Sequence, residues 1–147
     1  MNPVTELEDL EIWQMSFELA QRVYDVTEVG PFSRDFGMRN QIRRASVSSM
    51  SNIAEGYARM SKKEFVRFLD IARGSAVEVQ SLLHLSKARS YITGEEFDEI
   101  YAPYGVLCRR MGALIRYLRR AAACRLTPDT RHYLKKASAN PPSTAII

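Results

Sequence analysis

A chain of 147 residues with 46% hydrophobic residues and a formal net charge of +4 suits one domain and is short for two. It contains no run of about 18 uncharged apolar residues, and Glu6, Glu8, Asp9 and Glu11 stand where a secretion signal needs positive charge, so it reads as a soluble, cytoplasmic protein with no membrane partner. The charge is uneven: residues 1–35 hold eight acidic and two basic residues, 36–107 eight and ten, and 108–147 one and nine, making the last third a candidate surface for nucleic acid or an acidic partner.

Ile12, Trp13, Ser16, Phe17, Leu19, Ala20, Val23, Tyr24 and Val26 recur at three- and four-residue steps, which predicts a first amphipathic helix. It stops before Gly30-Pro31, since proline lacks a donor and restricts its neighbour. A second helix is expected from about Gly37 to Arg59, with an inner stripe of Met38, Ile42, Ala45, Ser49, Asn52, Ile53 and Gly56. Most of these are small, which lets another backbone approach closely, and a buried Ser or Asn then needs hydrogen-bond partners.

Ser61-Lys62-Lys63-Glu64 matches the S-x-x-E capping box and starts a third helix, striped by Phe65, Leu69, Ala72, Ala76, Val79 and Leu83 to about Tyr91. Thr93-Gly94-Glu95-Glu96 repeats that logic for a fourth, whose stripe is Phe97, Ile100, Tyr104, Leu107, Met111, Leu114, Ile115 and Leu118. Strand signals are absent. The expected fold is all-α, an antiparallel up-down four-helix bundle domain over residues 1–125. After Arg125 the pattern fades; Thr127-Pro128 suits the cap of a short helix to Lys136, and residues 126–147 read as a basic, partly disordered tail. Cys108 and Cys124 fall on one helix roughly 24 Å apart, too far for a disulfide, and are expected to be free thiols.

Val47, Met50 and Ala54 project opposite the stripe of the second helix, and Phe68, Ile71, Leu82 and Leu85 lie to one side of the third. Surplus apolar surface of this kind marks interfaces, so a homo-oligomer is expected; the alternative is that these helices are simply central in the bundle.

Gln41-Ile42-Arg43-Arg44-Ala45, Ser48, Asn52-Ile53-Ala54-Glu55-Gly56, Ser61, Glu64-Phe65, Arg67-Phe68-Leu69, Ile71-Ala72, Gly74-Ser75 and Glu78, together with Ile12-Trp13-Gln14 and Leu19-Ala20, resemble the four-helix bundle proteins encoded in intervening sequences of bacterial 23S ribosomal RNA genes. The resemblance spans roughly residues 10–120. It implies a protomer assembled into a pentameric ring, and kinship with accessory proteins of diversity-generating retroelements, which bind nucleic acid and a reverse transcriptase. It supplies no established activity, and the family's name describes where some of its genes sit.

Asn52 and Gly56 share a helix face, with Glu55 an i, i+4 step from Arg59. Together with Gly74, Ser75 and Glu78 they read as a packing and assembly motif held by a polar network; the other reading makes Asn52 and Glu55 part of a ligand or nucleic-acid site. Gly74-Ser75, in mid-helix, is expected to permit close backbone contact. Arg109, Arg116 and Arg120 fall within about 40° of one another on the fourth helix, opposite its apolar stripe, and form a basic ridge that Arg110, Arg119, Arg125, Arg131, Lys135 and Lys136 thicken. Such a ridge gives sequence-independent, salt-sensitive affinity for phosphates, although a charged outer face is also the ordinary state of a soluble helix. A second basic group, Arg39, Arg43, Arg44, Arg59, Lys62, Lys63 and Arg67, is expected near the junction of the second and third helices, with Glu55 and Glu64 among it.

Enzyme chemistry finds little support. A di-iron site in a four-helix bundle needs Glu-x-x-His pairs, and neither His84 nor His132 follows a Glu by three positions. The serines at 46, 48, 49 and 51 have no visible base, and no glycine-rich phosphate loop is present. The expectation is a non-enzymatic oligomeric scaffold, without metal or cofactor, that binds RNA or DNA through basic helix surfaces, with a second protein as a further candidate partner. The competing reading is a protein-binding adaptor in which the charge serves solubility.

Overall fold

A computed structural model describes residues 6–123, and every regular element among them is helical: a 3₁₀ turn at Leu7–Asp9, then α1 (Glu11–Thr27), α2 (Gly30–Arg34), α3 (Phe36–Ala58), α4 (Lys62–Ala88) and α5 (Gly94–Ala123). Expectations for Cys124, Arg125, Arg131, Lys135, Lys136, the Thr127-Pro128 cap and the tail over 126–147 lie outside the described residues.

The capping box at Thr93 forms in full, and that at Ser61 in its Ser half, the Glu64 carboxylate turning to Arg67 instead. Ser61 Oγ accepts from the Glu64 amide at the start of α4, and at α5 the Glu96 amide donates to Thr93 Oγ1 at 3.1 Å while Thr93 N–H donates to Glu96 Oε2 at 2.7 Å. Short connections force successive long helices to run antiparallel, and cross-helix pairs confirm it at three seams. Gln41 meets Glu78 and Ser48 meets Ser75 between α3 and α4; Gln80 meets the Tyr101 carbonyl and Asp70 meets Arg119 between α4 and α5; Arg22 meets the Glu99 carbonyl and Glu11 meets Arg110 between α1 and α5. The long helices therefore run up, down, up and down around one core. Ile42, Ile53, Phe65, Leu69, Leu83, Ile100, Leu107, Met111, Ile115 and Leu118 are fully buried in it, each contributing about 1.5–3 kcal/mol of transfer free energy.

Helix α2 is absent from the expected set. The break at Gly30-Pro31 is real: Gly30 takes φ +61, a conformation that L side chains disfavour, and Pro31 then seeds a five-residue helix at a position where its missing N–H costs nothing. That turn delivers the fully buried Phe32, whose ring lies 5.2 Å from Tyr91, to close one end of the bundle. Helix α4 stops at Ala88, short of Tyr91, because Ser90 turns left-handed (φ 58) and the last carbonyls are taken by the Ser90 amide (to Lys87 O, 3.0 Å) and the Tyr91 amide (to Ser86 O, 2.9 Å). Inside α5, Pro103 cannot donate to the Glu99 carbonyl, and Arg22 Nη1 of α1 takes that acceptor at 3.1 Å.

Two of the residues expected to be surplus apolar surface belong to the protomer itself. Phe68 is buried, because Gly56 of α3 leaves room for it and the guanidinium groups of Arg67 and Arg59 lie over its ring at 4.6 and 5.3 Å. Leu82 is half-buried against the core, whereas Ile71 and Leu85 remain exposed at 43% and 50%. Val47, Met50 and Ala54 are half-buried on α3.

Candidate nucleic-acid interface

The α3–α4 seam holds the predicted motif in two layers. At its deep end Gly56 is buried, and a Cβ built there would stand 2.7 Å from Phe68 Cβ and 2.9 Å from Phe65 Cδ2, so only hydrogen fits. Further along, the half-buried Asn52 donates to Ser48 O (2.8 Å) and Ser48 Oγ (3.2 Å), Ser48 and Ser75 hydroxyls meet at 2.9 Å, and Gln41 Nε2 donates to Glu78 Oε1. Glu55 pairs with Arg59 at 2.6 Å. Gly74 departs from expectation: it is exposed, and a Cβ there would meet nothing within 4 Å, because it points away from both neighbouring helices of its own protomer. The buried serines are not all satisfied either. Ser46 Oγ donates to the Arg43 carbonyl, but Ser49 Oγ and the Tyr104 hydroxyl meet no hydrogen-bond partner among the described residues. Burial pushes the Tyr104 hydroxyl well above its usual ionisation range.

The arginines divide by whether a carboxylate neutralises them. Arg110 turns toward α1 and pairs with Glu11, and Arg119 turns toward α4 and pairs with Asp70 at 2.8 Å. These two therefore leave the ridge they were expected to thicken, since positions 110 and 119 fall on opposite flanks of α5. Arg109, Arg116 and Arg120 stay exposed on its outer face, and none of them pairs with a carboxylate among the described residues.

The second basic group does not gather in one place. Arg43 and Arg59 are separated by 16 residues, about 24 Å along α3. Arg43 is engaged at one end: its Nε donates to Thr27 Oγ1 (2.7 Å), its Nη2 pairs with Glu28 (2.7 Å), and its guanidinium covers the Tyr24 ring at 4.4 Å. Arg44 projects outward beside it, in a shallow cleft of about 550 Å³ lined by Tyr24, Asn40, Val47, Ser48 and Ser51. Arg39 donates to the Ser33 carbonyl and lies over Phe36. At the other end Arg67 pairs with Glu64 and Lys63 is exposed, with Lys62 half-buried next to it.

Pattern reading along α5 missed its partner on α4. Arg73 Nη1 lies 3.3 Å, and Arg116 Nη1 3.5 Å, from the place a Cβ on Gly112 would occupy; one helical repeat earlier Arg109 Nη1 and Gln80 Nε2 each lie 3.5 Å from the corresponding point at Gly105. Cys108 sits in the same seam, where burial pushes its thiol up in pKa while Arg73 and Arg109 pull it down. The available signal was the tandem spacing Gly105-x-x-x-Arg109 and Gly112-x-x-x-Arg116, which lays each guanidinium back over the glycine one turn before it.

Comparison with known proteins agrees with this architecture. Residues 8–113 match the family described as 23S rRNA-intervening sequence protein. This chain belongs to that family. Among solved structures, it is similar to a protein of unknown function from the S23 ribosomal protein family of Bacteroides thetaiotaomicron VPI-5482, with a TM-score of 0.66 and 27% identity over 71% of this chain and 98% of that one. A search of curated proteins finds no match. The family match covers the seam between α3 and α4 and most of α5, so the polar contacts of Gln41, Ser48, Asn52, Ser75 and Glu78 and the Gly105 and Gly112 sites lie inside it, while Arg116 and Arg120 lie past its end.

Proposed function

We propose that this member of the 23S rRNA-intervening sequence protein family is a non-enzymatic, homo-oligomeric scaffold that binds nucleic acid through the outer face of α5. The observation that carries the reading is the unneutralised row of Arg109, Arg116 and Arg120 on a stretch, residues 100–123, that contains no acidic residue. Five other arginines, at 43, 59, 67, 110 and 119, have a carboxylate within 3.0 Å and so have little charge to spare for a ligand. The exposed Ile71 and Leu85 on the outward face of α4, with Gly74 between them, support assembly, and a pentameric ring would repeat the arginine row around its axis.

Salt titration tests this directly. Three phosphate contacts per protomer predict a log–log salt slope of about −2 to −2.7, and hence a loss of about 20- to 40-fold in affinity between ~50 and ~200 mM salt. Reversal of all three residues to Glu should abolish binding with helicity intact by circular dichroism. A salt-insensitive affinity, or binding that survives the triple reversal, overturns the reading and favours an adaptor that contacts proteins through apolar surface.

A further inference from the structure

The seam between α4 and α5 carries a second kind of chemistry one to two turns from the arginines. The exposed His84 ring packs against Phe97 (centroids 5.0 Å, 57°) and edge-on against Tyr101 (5.0 Å, 73°), and Phe97 and Tyr101 stack at 4.8 Å and 17°. Phe97 is buried, so the ring surface left to solvent belongs to His84 and the half-buried Tyr101. Val77, 52% exposed, stands one helical repeat from His84 and one turn from Arg73 on the same face of α4. From this aromatic end the seam passes Gly105, covered by the side chains of Gln80 and Arg109, then the buried Gly112, covered by Arg73 and Arg116. Its far end is closed by Asp70, which pairs with Arg119 at 2.8 Å and reaches Arg73 only at 3.8 Å.

We propose that this seam is a track for single-stranded nucleic acid, with bases stacked on His84 and Tyr101 and backbone phosphates held on the outer side of the guanidinium groups of Arg109, Arg73 and Arg116 where they cover Gly105 and Gly112. The inference rests on the nucleic-acid reading above and adds its site and strandedness. Each glycine contributes by omission: with no Cβ beneath them, the Arg109 guanidinium and Gln80 amide settle on Gly105 and the Arg73 and Arg116 guanidinium groups settle on the buried Gly112, so that neighbouring donors converge and present their outer edges to a phosphate. Two such seats seven residues apart are separated by about 10.5 Å along the helix. Unpaired bases are required because aromatic platforms bind the π-faces that a duplex keeps stacked on its own neighbours. Arginine seats of this type hold phosphates regardless of sequence, so the track is expected to be sequence-tolerant.

Fluorescence anisotropy of the full chain with a labelled 12-nucleotide oligouridylate and a labelled 12-base-pair RNA duplex decides the matter. The single strand should bind more tightly. His84→Ala, at an exposed position, should weaken single-strand binding at least about five-fold without changing the salt slope, as expected for lost stacking. Arg109→Gln combined with Arg116→Gln should lower that slope by about 1.4, at about 0.7 per phosphate contact in a single strand. Arg44→Gln, on the outer face of α3, should leave affinity unchanged. Tighter binding of the duplex, unaltered affinity in His84→Ala, or equal weakening by Arg44→Gln overturns the track while leaving nucleic-acid binding standing. Absence of binding to either probe at ~50 mM salt overturns both.

Discussion

Gly56 provides the sharpest test of how this bundle is held together. Carbon atoms in van der Waals contact sit about 3.5–4.0 Å apart, and a methyl at Gly56 would lie 2.7 Å from Phe68 Cβ and 2.9 Å from a ring carbon of Phe65. Rotation cannot relieve the first clash, because Phe68 Cβ is fixed to the α4 backbone, and the fully buried Phe65 ring has no room to retreat. The helices must therefore separate by most of an ångström, and overpacking of this kind costs about 1–3 kcal/mol. Against that, replacing glycine by alanine within a helix gains about 1 kcal/mol. Gly56→Ala should thus lower stability by up to about 2 kcal/mol. Gly74→Ala, in α4 with nothing of its own protomer within 4 Å of the new methyl, should show the gain alone when both variants are compared at a concentration low enough to dissociate the assembly. Urea unfolding of both variants at one protein concentration isolates the packing term as their difference, about 1–3 kcal/mol. Equal effects at the two sites would show that Gly56 is not a close-approach position, and the account of Phe68 burial would go with it.

Ser90→Gly relieves a left-handed residue at the end of α4 and should raise stability by about 1 kcal/mol, read as a rise of a few degrees in thermal melting; no change would mean that Ser90 carries no strain. Tyr104→Phe removes a buried hydroxyl that has no partner among the described residues and should stabilise by about 1 kcal/mol, whereas a loss of that size in the same melt would reveal a bond to the hydroxyl. Asp35 caps α3 by accepting from the Met38 amide at 3.0 Å, and accepts from the Tyr91 hydroxyl at 2.9 Å. The Met38 bond, then the Tyr91 bond, and last the charge of Arg89 outweigh desolvation and hold its carboxyl below the ordinary 3.8. A depressed acid contributes stability that is fully present above its unfolded value and is lost as pH falls through the folded one. The melting-temperature difference between the wild type and Asp35→Asn should therefore be constant above about pH 5 and close below about pH 4; a difference that persists unchanged to pH 2 would contradict the assignment.

The repeating three- and four-residue spacing of apolar residues, the capping boxes at Ser61 and Thr93 and the break at Gly30-Pro31 were sufficient for four long helices and their order, because these signals act within one or two turns of chain. The same local reading located Gly56 as a point of close approach and aligned Arg109, Arg116 and Arg120 on one face. It could not say which charges are spent. Arg110 and Arg119 look like members of that row until α1 brings Glu11, and α4 brings Asp70, against the flanks of α5. Likewise Phe68 looks like spare apolar surface until the hole left by Gly56 is placed opposite it, and Gly74, so similar in sequence context, opens onto solvent. The convergence of Arg73 with Arg116 over Gly112, and of His84 with Tyr101, joins residues 43 and 17 positions apart. Periodicity fixes the direction a side chain takes from its own helix axis, whereas the identity of what it meets depends on how neighbouring helices are set against one another, and that is settled by packing across the whole core.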